Sequence, residues 1–398
     1  MSTKRMKILF LTSCDHPLVR LEAEALSKLF NIDYILIEWK PYLLRKGARS
    51  LIRNLPKFLI ALLKLRIPPF PIKLLLAHLL LASLIMDERK LWGQKYDVIY
   101  AHWLFPAGLV GLLFSKILNS KVISVAWGYD IQVIPGVRDY GIQGSKRMLS
   151  KAVIEKSDLL ITNHRVHKQI AERLAGLPPS NKKIIYIPPA IPDLSLNVKD
   201  ELTEELKEIG FDHRKLEKTP IVLYSPSLRP HYGIMEFVKA IPIIASSVRD
   251  CVFVITGEGE LKDEALRFIE DHGLEKKVIF TGRISHDSMR TLYKLSTVVC
   301  DLSYAGTGVT TLEAFCFGKP VVAIASPRAV VEHGVSGFLV KRGDYQALAN
   351  LIVNILEDMN LRRKFSMTAR EIYEKEFNMD RRTRALLKIF QSISDEIS

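Results

Sequence analysis

The stretch DLSYAGTGVTTLEAFCFGKPVVA, Asp301 to Ala323, holds the most chemistry in this chain. An apolar run ends at Leu302, a loop turns through Gly306 and Gly308, and a helical pattern starts near Thr310, with Glu313 on its first turn. Glycines let the backbone come close to a ligand. The N–H groups of Thr307, Gly308, Val309, Thr310 and Thr311 then converge with the positive helix end on one point. That arrangement suits a diphosphate, and a carboxylate one turn inside the helix can accept bonds from a pair of sugar hydroxyls. The alternative for Glu313 is an acid that only stabilises the helix dipole. A second glycine pair, in TGEGE (Thr256 to Glu260), lacks the third glycine of a dinucleotide fingerprint and reads as a tight strand-to-helix turn.

Elements must hold these residues in place. A chain of 398 residues exceeds what one ordinary core serves, so two domains are expected. Hydrophobic residues at 48% and charged ones at 25% exclude long disorder and fibrous designs. Short apolar runs alternate with helical patterns: Ile8 to Leu11, Tyr34 to Ile37, Val98 to Ala101, Val122 to Val125, Leu159 to Thr162 and Ile184 to Ile187. A second series follows: Ile221 to Tyr224, Val252 to Thr256, Val278 to Phe280, Val298 to Leu302, Val321 to Ala323 and Phe338 to Val340. Such runs, spaced by helices, mean parallel sheets covered on both faces. The fold class is therefore α/β, two doubly wound Rossmann-like domains facing across a cleft, where ligands of open sheets bind. The prolines of IPPAIPD mark the hinge, giving domains 1–192 and 193–377 and a C-terminal helix, 378–398, packing back towards the first domain.

Charge divides unevenly. Up to Pro192 there are 29 Lys+Arg and 13 Asp+Glu, and beyond it 28 and 30, so the halves carry +16 and −2. The surplus centres on the basic segment 39–91, which has no acid between Trp39 and Met86 while Lys40, Arg45, Lys46, Arg49, Arg53, Lys57, Lys64, Arg66 and Lys73 interleave with leucines. Its apolar stretches fall short of the roughly 20 residues that span a bilayer. It reads as an amphipathic helix lying on an anionic leaflet, the alternative being core helices whose cations reach out from one face. Nucleic acid is not expected, since interleaved aromatics and a recognition motif are missing. Cys14, Cys251, Cys300 and Cys316 form no metal-spaced group and read as reduced thiols in a cytoplasmic protein. MSTKRMKILFLTS reads as a first strand rather than a signal peptide.

YDVIYAHWLFPAG (Tyr96 to Gly108), VAWGYDI (Val125 to Ile131), the run from Phe253 to Ser285, LEAFCFGKPVV and GVSGFLVKRGD (Gly334 to Asp344) add to the first stretch. Together they resemble the retaining nucleotide-sugar glycosyltransferases of family 4, the glycosyl transferases group 1, with two Rossmann-like domains in the GT-B arrangement. The similarity covers most of the chain and is strongest from Ile221 to Asp344. The family's paired glutamates, eight residues apart, fall on Ala305 and Glu313. The resemblance implies a ribose grip for Glu313 and backbone contacts to sugar and diphosphate from Gly306 to Gly308. The family's diphosphate-clamping arginine and lysine fall on Ser227 and Tyr232, and its histidine-glycine-x-aspartate motif on Trp127, Gly128, Tyr129 and Asp130.

Several anchors are thus replaced, and a dianionic leaving group still needs compensation. Arg229, in SPSLRPHYG, is the nearest cation, with Arg283 and Lys319 behind it; the alternative for Arg229 is a solvated loop residue. His102, at a strand end facing the cleft, is either a ligand contact or a structural histidine. Asp130 and Asp15, at similar loop positions, are placed to orient an acceptor hydroxyl. The expected catalytic set is Arg229, Asp130 and His102. The donor set is Glu313, Gly306, Thr307, Gly308, Val309, Thr310, Ser227, Tyr232 and Arg283, and Asp15, Trp127 and Tyr129 stand on the acceptor side. The reading is a retaining glycosyltransferase without metal or cofactor, moving a sugar from a nucleoside diphosphate sugar to a lipid-linked or membrane-proximal glycan on the inner face of the cell membrane. The rival is a non-catalytic subunit of the same fold that binds glycan or nucleotide sugar. A nicotinamide oxidoreductase would need the fingerprint this chain lacks.

Overall fold

The computed structural model of the protein describes residues 5–37, 43–66, 72–131, 144–199, 201–212, 219–304, 306 and 308–395. The expectations placed on Ala305 and Thr307, and on the side chains of Arg45, Lys46 and Tyr129, lie outside what is described. The chain forms two compact units, Met1–Pro189 with Met379–Ser398, and Ala190–Asn378.

In the N-terminal unit the strands are β1 (Lys7–Thr12), β2 (Asn31–Leu36), β3 (Val98–His102), β4 (Lys121–Ala126), β5 (Leu159–Thr162) and β6 (Ile184–Tyr186). They form one parallel sheet in the order β2-β1-β3-β4-β5-β6, so the direction of winding reverses between β1 and β3. Alternate residues serve opposite faces, as the pleat requires. Leu9, Leu11, Ile99 and Ala101 pack with the helix that follows β3 in the sequence, while Ile8, Phe10, Val98 and Tyr100 pack with Val19, Leu386 and Phe390. The last two residues belong to the helix Met379–Asp395. Burying each contributes about 1.5–3 kcal/mol relative to leaving it in water.

That helix is also tied in by charge. Arg382, 3% exposed, donates from Nε to Glu22 Oε2 at 2.8 Å and from Nη1 to the Ile187 carbonyl at 3.0 Å. Glu22 accepts the Tyr100 hydroxyl at 2.5 Å as well. Burial pushes the Glu22 carboxyl up, but Arg382 and the other partners more than reverse this and hold it below its ordinary value. Removing Arg382 alone would strand a buried carboxylate, at a cost of about 3–5 kcal/mol.

Helix α1 (Pro17–Ser27) precedes the basic segment, within which lie α2 (Leu43–Leu65) and α3 (Ile72–Glu88). Leu51, Asn54, Phe58, Ala61 and Leu65 of α2 are buried, and its apolar members join the core that includes Leu79, Ala82 and Met86 of α3. The opposite side of α2 leaves Ile52, Leu59, Ile60 and Leu63 exposed beside Arg49, Arg53, Lys57 and Lys64. The core-helix alternative therefore describes one face, and the other leaves apolar and cationic side chains exposed together. Among the described residues no helix is long and apolar enough to cross a membrane.

The second unit repeats the plan with β7 (Ile221–Tyr224), β8 (Val252–Thr256), β9 (Val278–Gly282), β10 (Val298–Asp301), β11 (Val321–Ile324) and β12 (Gly337–Val340). The order is β12-β11-β10-β7-β8-β9, all parallel, with the reversal between β7 and β10. Loops leaving two such strands diverge to opposite faces and open a crevice at their carboxyl ends.

Candidate functional site

The residues singled out after β10 lie at that crevice. The helix after β10 runs Val309–Cys316 with Gly308 as its N-cap, so Glu313 is its fifth residue and not a first-turn acid. Its Oε2 accepts the hydroxyl of Tyr293 at 2.8 Å. Tyr293 is 1% exposed and lies 2.8 Å from Ser225 Oγ, which in turn reaches Thr310 Oγ1 at 3.2 Å. Ser225 directly follows β7, so this chain of hydroxyls joins both strands of the reversal to the carboxylate. Burial pushes the Glu313 carboxyl up to about 7, and the Tyr293 hydroxyl works against it. Among the described residues Oε1 has no partner, which leaves it to accept from a ligand's hydroxyls.

The glycine loop is held from beneath. Asp301, 3% exposed, accepts the Gly308 N–H at 3.2 Å and the Thr311 hydroxyl at 2.6 Å on Oδ2, and the Ser303 N–H at 3.4 Å on Oδ1. Burial raises the Asp301 carboxyl while these donors oppose the rise. One N–H expected to cradle phosphate is therefore spent on Asp301. Gly306 has φ +92°, and a Cβ there would stand 2.7 Å from the Cβ of Arg328. The loop thus rests on Arg328, whose guanidinium burial pulls below its ordinary value. Val309 and Thr310 are half-buried at the helix start.

After β7, Arg229 is exposed and caps the short turn Pro230–Tyr232, its N–H donating to the Ser227 carbonyl at 2.9 Å. Ser227 cannot clamp phosphate freely, since its Oγ donates to the Glu258 carbonyl at 3.2 Å. Tyr232 lies against His231 with ring centroids 4.4 Å apart, and its carbonyl accepts the Tyr224 hydroxyl at 2.9 Å. Gly233 has φ +74°, and a Cβ there would meet Leu302 Cβ at 2.6 Å, so glycine lets the two crevice loops touch. Arg283 is exposed just after β9. Lys319 donates to the Lys294 carbonyl at 2.8 Å, and burial lowers its ammonium to about 8.

In the N-terminal unit the catalytic places given to His102 and Asp130 need correction. His102 takes the structural alternative and not the ligand contact: it is 0% exposed, because Phe10 stacks on it at 4.8 Å and 12° and Trp127 donates its indole N–H to Nδ1 at 3.3 Å. Burial pushes its pKa down to about 4, which keeps it neutral, with Glu22 opposing. Asp130 was expected to orient a hydroxyl and is also 0% exposed, its Oδ2 accepting the Leu104 N–H at 2.9 Å. Burial raises its carboxyl to about 8 against that donor. Neither side chain reaches solvent. What remains half-exposed is Trp127, stacked on buried Trp103 at 5.1 Å and 19°, with the His16 ring 5.3 Å away. Asp15 is exposed but paired with Arg20. Of the four thiols, three are buried and Cys14 is half-exposed.

Sequence reasoning missed Tyr293, Ser225, Asp301 and Arg328. Asp301 did carry a signal, an acid closing an otherwise apolar strand. Tyr293 carried none, lying 20 residues before its carboxylate partner.

Known proteins resemble this chain in sequence and in fold. Residues 206–372 match the family described as glycosyl transferases group 1. The chain is 24% identical over 293 residues, 72% of each chain, to N-acetyl-alpha-D-glucosaminyl L-malate synthase of Bacillus anthracis. It is 25% identical over 292 residues, 69% of this chain and 70% of the other, to the UDP-Gal:alpha-D-GlcNAc-diphosphoundecaprenol alpha-1,3-galactosyltransferase of Escherichia coli. The fold superposes on Anabaena Alr3699/HepE, solved with UDP, with a TM-score of 0.72 at 20% identity, covering 97% of this chain and 100% of that one. The two six-stranded parallel sheets with their helices match GT-B structures, and the chain is an enzyme of the glycosyltransferase class.

Proposed function

We propose that the chain is a retaining, metal-independent glycosyltransferase of the family 4 kind. It moves a sugar from a nucleoside diphosphate sugar to a lipid-linked or membrane-proximal glycan, working from the cytoplasmic face of the cell membrane. The observation that carries the reading is Glu313, a carboxylate set one turn inside a helix by Tyr293, with Oε1 left for a ribose hydroxyl pair. Support for the donor class also comes from the UDP complex of the solved relative, and for the acceptor from the diphosphoundecaprenol substrate named for the Escherichia coli enzyme.

In this mechanism the helix start at Val309 and Thr310 receives the diphosphate, and Arg229 supplies the cation that Ser227 and Tyr232 cannot. A guanidinium binds two phosphate oxygens at once, and its charge matters most as the leaving phosphate gains negative charge. That phosphate takes the proton of the incoming acceptor hydroxyl, so the new bond forms on the face the leaving group vacates and configuration is kept. The N-terminal unit takes the acceptor, with Trp127 and Asp15 at its accessible carboxyl edge. Its cationic side of α2 lies on anionic lipid.

The experiment is turnover. Incubation with a panel of nucleoside diphosphate sugars and an undecaprenyl-diphosphate glycan is expected to release nucleoside diphosphate and lengthen the glycan with the donor's anomeric configuration. Release of nucleotide with inverted product would refute retention, and no release with any donor would refute the transferase reading.

A further inference from the structure

Three lysines from separate parts of the N-terminal unit gather around one cavity. It measures about 460 Å³, and its walls include Lys57 and Ile60 of α2, Trp92, Lys95, and Lys116 and Leu118 of the helix Leu109–Leu118. The Lys57 Nζ sits 4.0 Å from the centre of the Trp92 ring. The indole N–H of Trp92 donates to Asp87 Oδ1 at 2.6 Å, which fixes the ring and with it the reach of Lys57. Arg53 has an acidic partner in Asp87, but Lys57, Lys95 and Lys116 have none among the described residues. Among the described residues no acid lines the cavity either. Like charges gathered this way repel, and an anion among them turns the repulsion into attraction.

The cavity opens where α2 is uncovered. Ile60 is 54% exposed, Ile52 and Leu63 are each 76% exposed, and Leu59 is 48% exposed. At 100° per residue Leu59, Ile52 and Leu63 form one apolar strip, with Arg49, Arg53, Lys64 and Lys57 in a cationic strip beside it. Water is a poor solvent for the first strip and hydrocarbon for the second. A bilayer surface offers both environments a few ångströms apart, acyl chains under a layer of phosphates.

We propose that this cavity is a phosphate pocket for an anionic lipid of the bilayer on which α2 lies. Lys57, Lys95 and Lys116 hold the headgroup phosphate, Trp92 forms the floor under Lys57, Ile60 stands in the pocket wall, and the Ile52–Leu63 strip enters the acyl layer. The proposal rests on the membrane part of the function given above and turns a general attraction into a site.

The test uses the full chain and vesicles of phosphatidylcholine, with and without phosphatidylglycerol. Wild type floats with the anionic vesicles. The charge-matched control R49Q/K64Q/R66Q loses only the general attraction of three surface cations, about 100-fold in partitioning at roughly a factor of five each. K57Q/K95Q/K116Q loses at least about tenfold more, because its lysines also contact the phosphate directly. All six side chains are exposed, so melting temperatures stay within a degree or so and folding does not confuse the result. Equal losses from both triples would overturn the pocket and leave membrane association standing; failure of wild type to float would overturn both. A second arm titrates soluble dihexanoyl phosphatidylglycerol while following Trp92 fluorescence against a Trp92→Phe reference. A change in wild type that is missing in K57Q/K95Q/K116Q supports the site. An equal change with inorganic phosphate would overturn the lipid as occupant.

Discussion

The two strand reversals, β1/β3 in one unit and β7/β10 in the other, have the same topology and opposite fillings. At β7/β10 the polar groups stay addressable: glycines keep side chains out of the loops, and Glu313 is half-buried with one oxygen committed to Tyr293. At β1/β3 the corresponding space holds rings. Phe10, His102, Trp103 and Trp127 pack together, His102 and Asp130 are sealed at 0% exposure, and Trp127 and His16 keep part of their surface. A strand-end crevice is thus a location and not a function. Which side chains line it decides whether it grips charge and hydroxyls or presents an aromatic surface.

The sharpest way to break this contrast is at Arg229. Arg229→Ala is expected to lower turnover about 10²-fold, the scale of one lost transition-state charge contact, with an unchanged melting temperature because the side chain is exposed. Normal turnover would move the clamp to another cation, Arg328 under the glycine loop or Arg283. A smaller effect tests the support of the carboxylate. Tyr293→Phe removes a hydrogen bond to a charged group, so nucleotide affinity should fall about three- to tenfold. Ribose hydroxyls donate to the ionised form of Glu313, so wild-type affinity weakens as pH falls through about 7. Without the Tyr293 hydroxyl the Glu313 carboxyl rises further, and the midpoint of that loss should move to higher pH. An affinity change with an unmoved midpoint would make Tyr293 a packing residue only.

The sealed side is probed by stability rather than turnover. Asp130 has its folded pKa raised by burial to about 8, so the native state binds a proton the unfolded chain has already lost, and stability falls as pH rises from about 4 through 8. Asp130→Asn removes the ionisation. Its melting temperature should match wild type near pH 4 and exceed it by several degrees at pH 9. Parallel melting curves across that range would mean that Asp130 is solvated after all. The smallest expected effect is that of chelation: the proposed mechanism meets the diphosphate charge with Arg229 and the helix start, so EDTA should leave turnover unchanged. Loss restored by magnesium or manganese would contradict the mechanism.

The sheets were legible because buried parallel strands are short apolar runs, and all twelve runs became strands within a few residues. The loop through Gly306 and Gly308 and the helix start near Thr310 were legible because glycines after an apolar run mark a strand-to-helix turn. The support of that site was not. Tyr293 and Ser225 reach the carboxylate only because β10 pairs with β7, a neighbour relation no local pattern encodes. His102 and Asp130 misled for a related reason. A polar residue just past a strand looks the same whether it faces solvent or lies under Trp127 and Trp103, and only the packing of distant rings decides. Helix α2 shows the reverse case: its alternation of leucines and cations is consistent with a core helix and with a surface one, and it serves both on opposite sides.

The central claim is that the β7/β10 crevice holds a nucleoside diphosphate through Glu313. Calorimetric titration of wild type and Glu313→Gln with UDP and other nucleoside diphosphates tests it most directly. The substitution keeps the shape and the Tyr293 contact but removes the charge, and hydrogen bonds to a charged acceptor are worth about 1.5–3 kcal/mol. Wild type is predicted to bind at least one nucleotide, and Glu313→Gln to bind it tenfold or more weakly with an unchanged melting temperature in the absence of ligand. Equal dissociation constants for the two proteins would contradict the claim and leave Glu313 as a structural carboxylate.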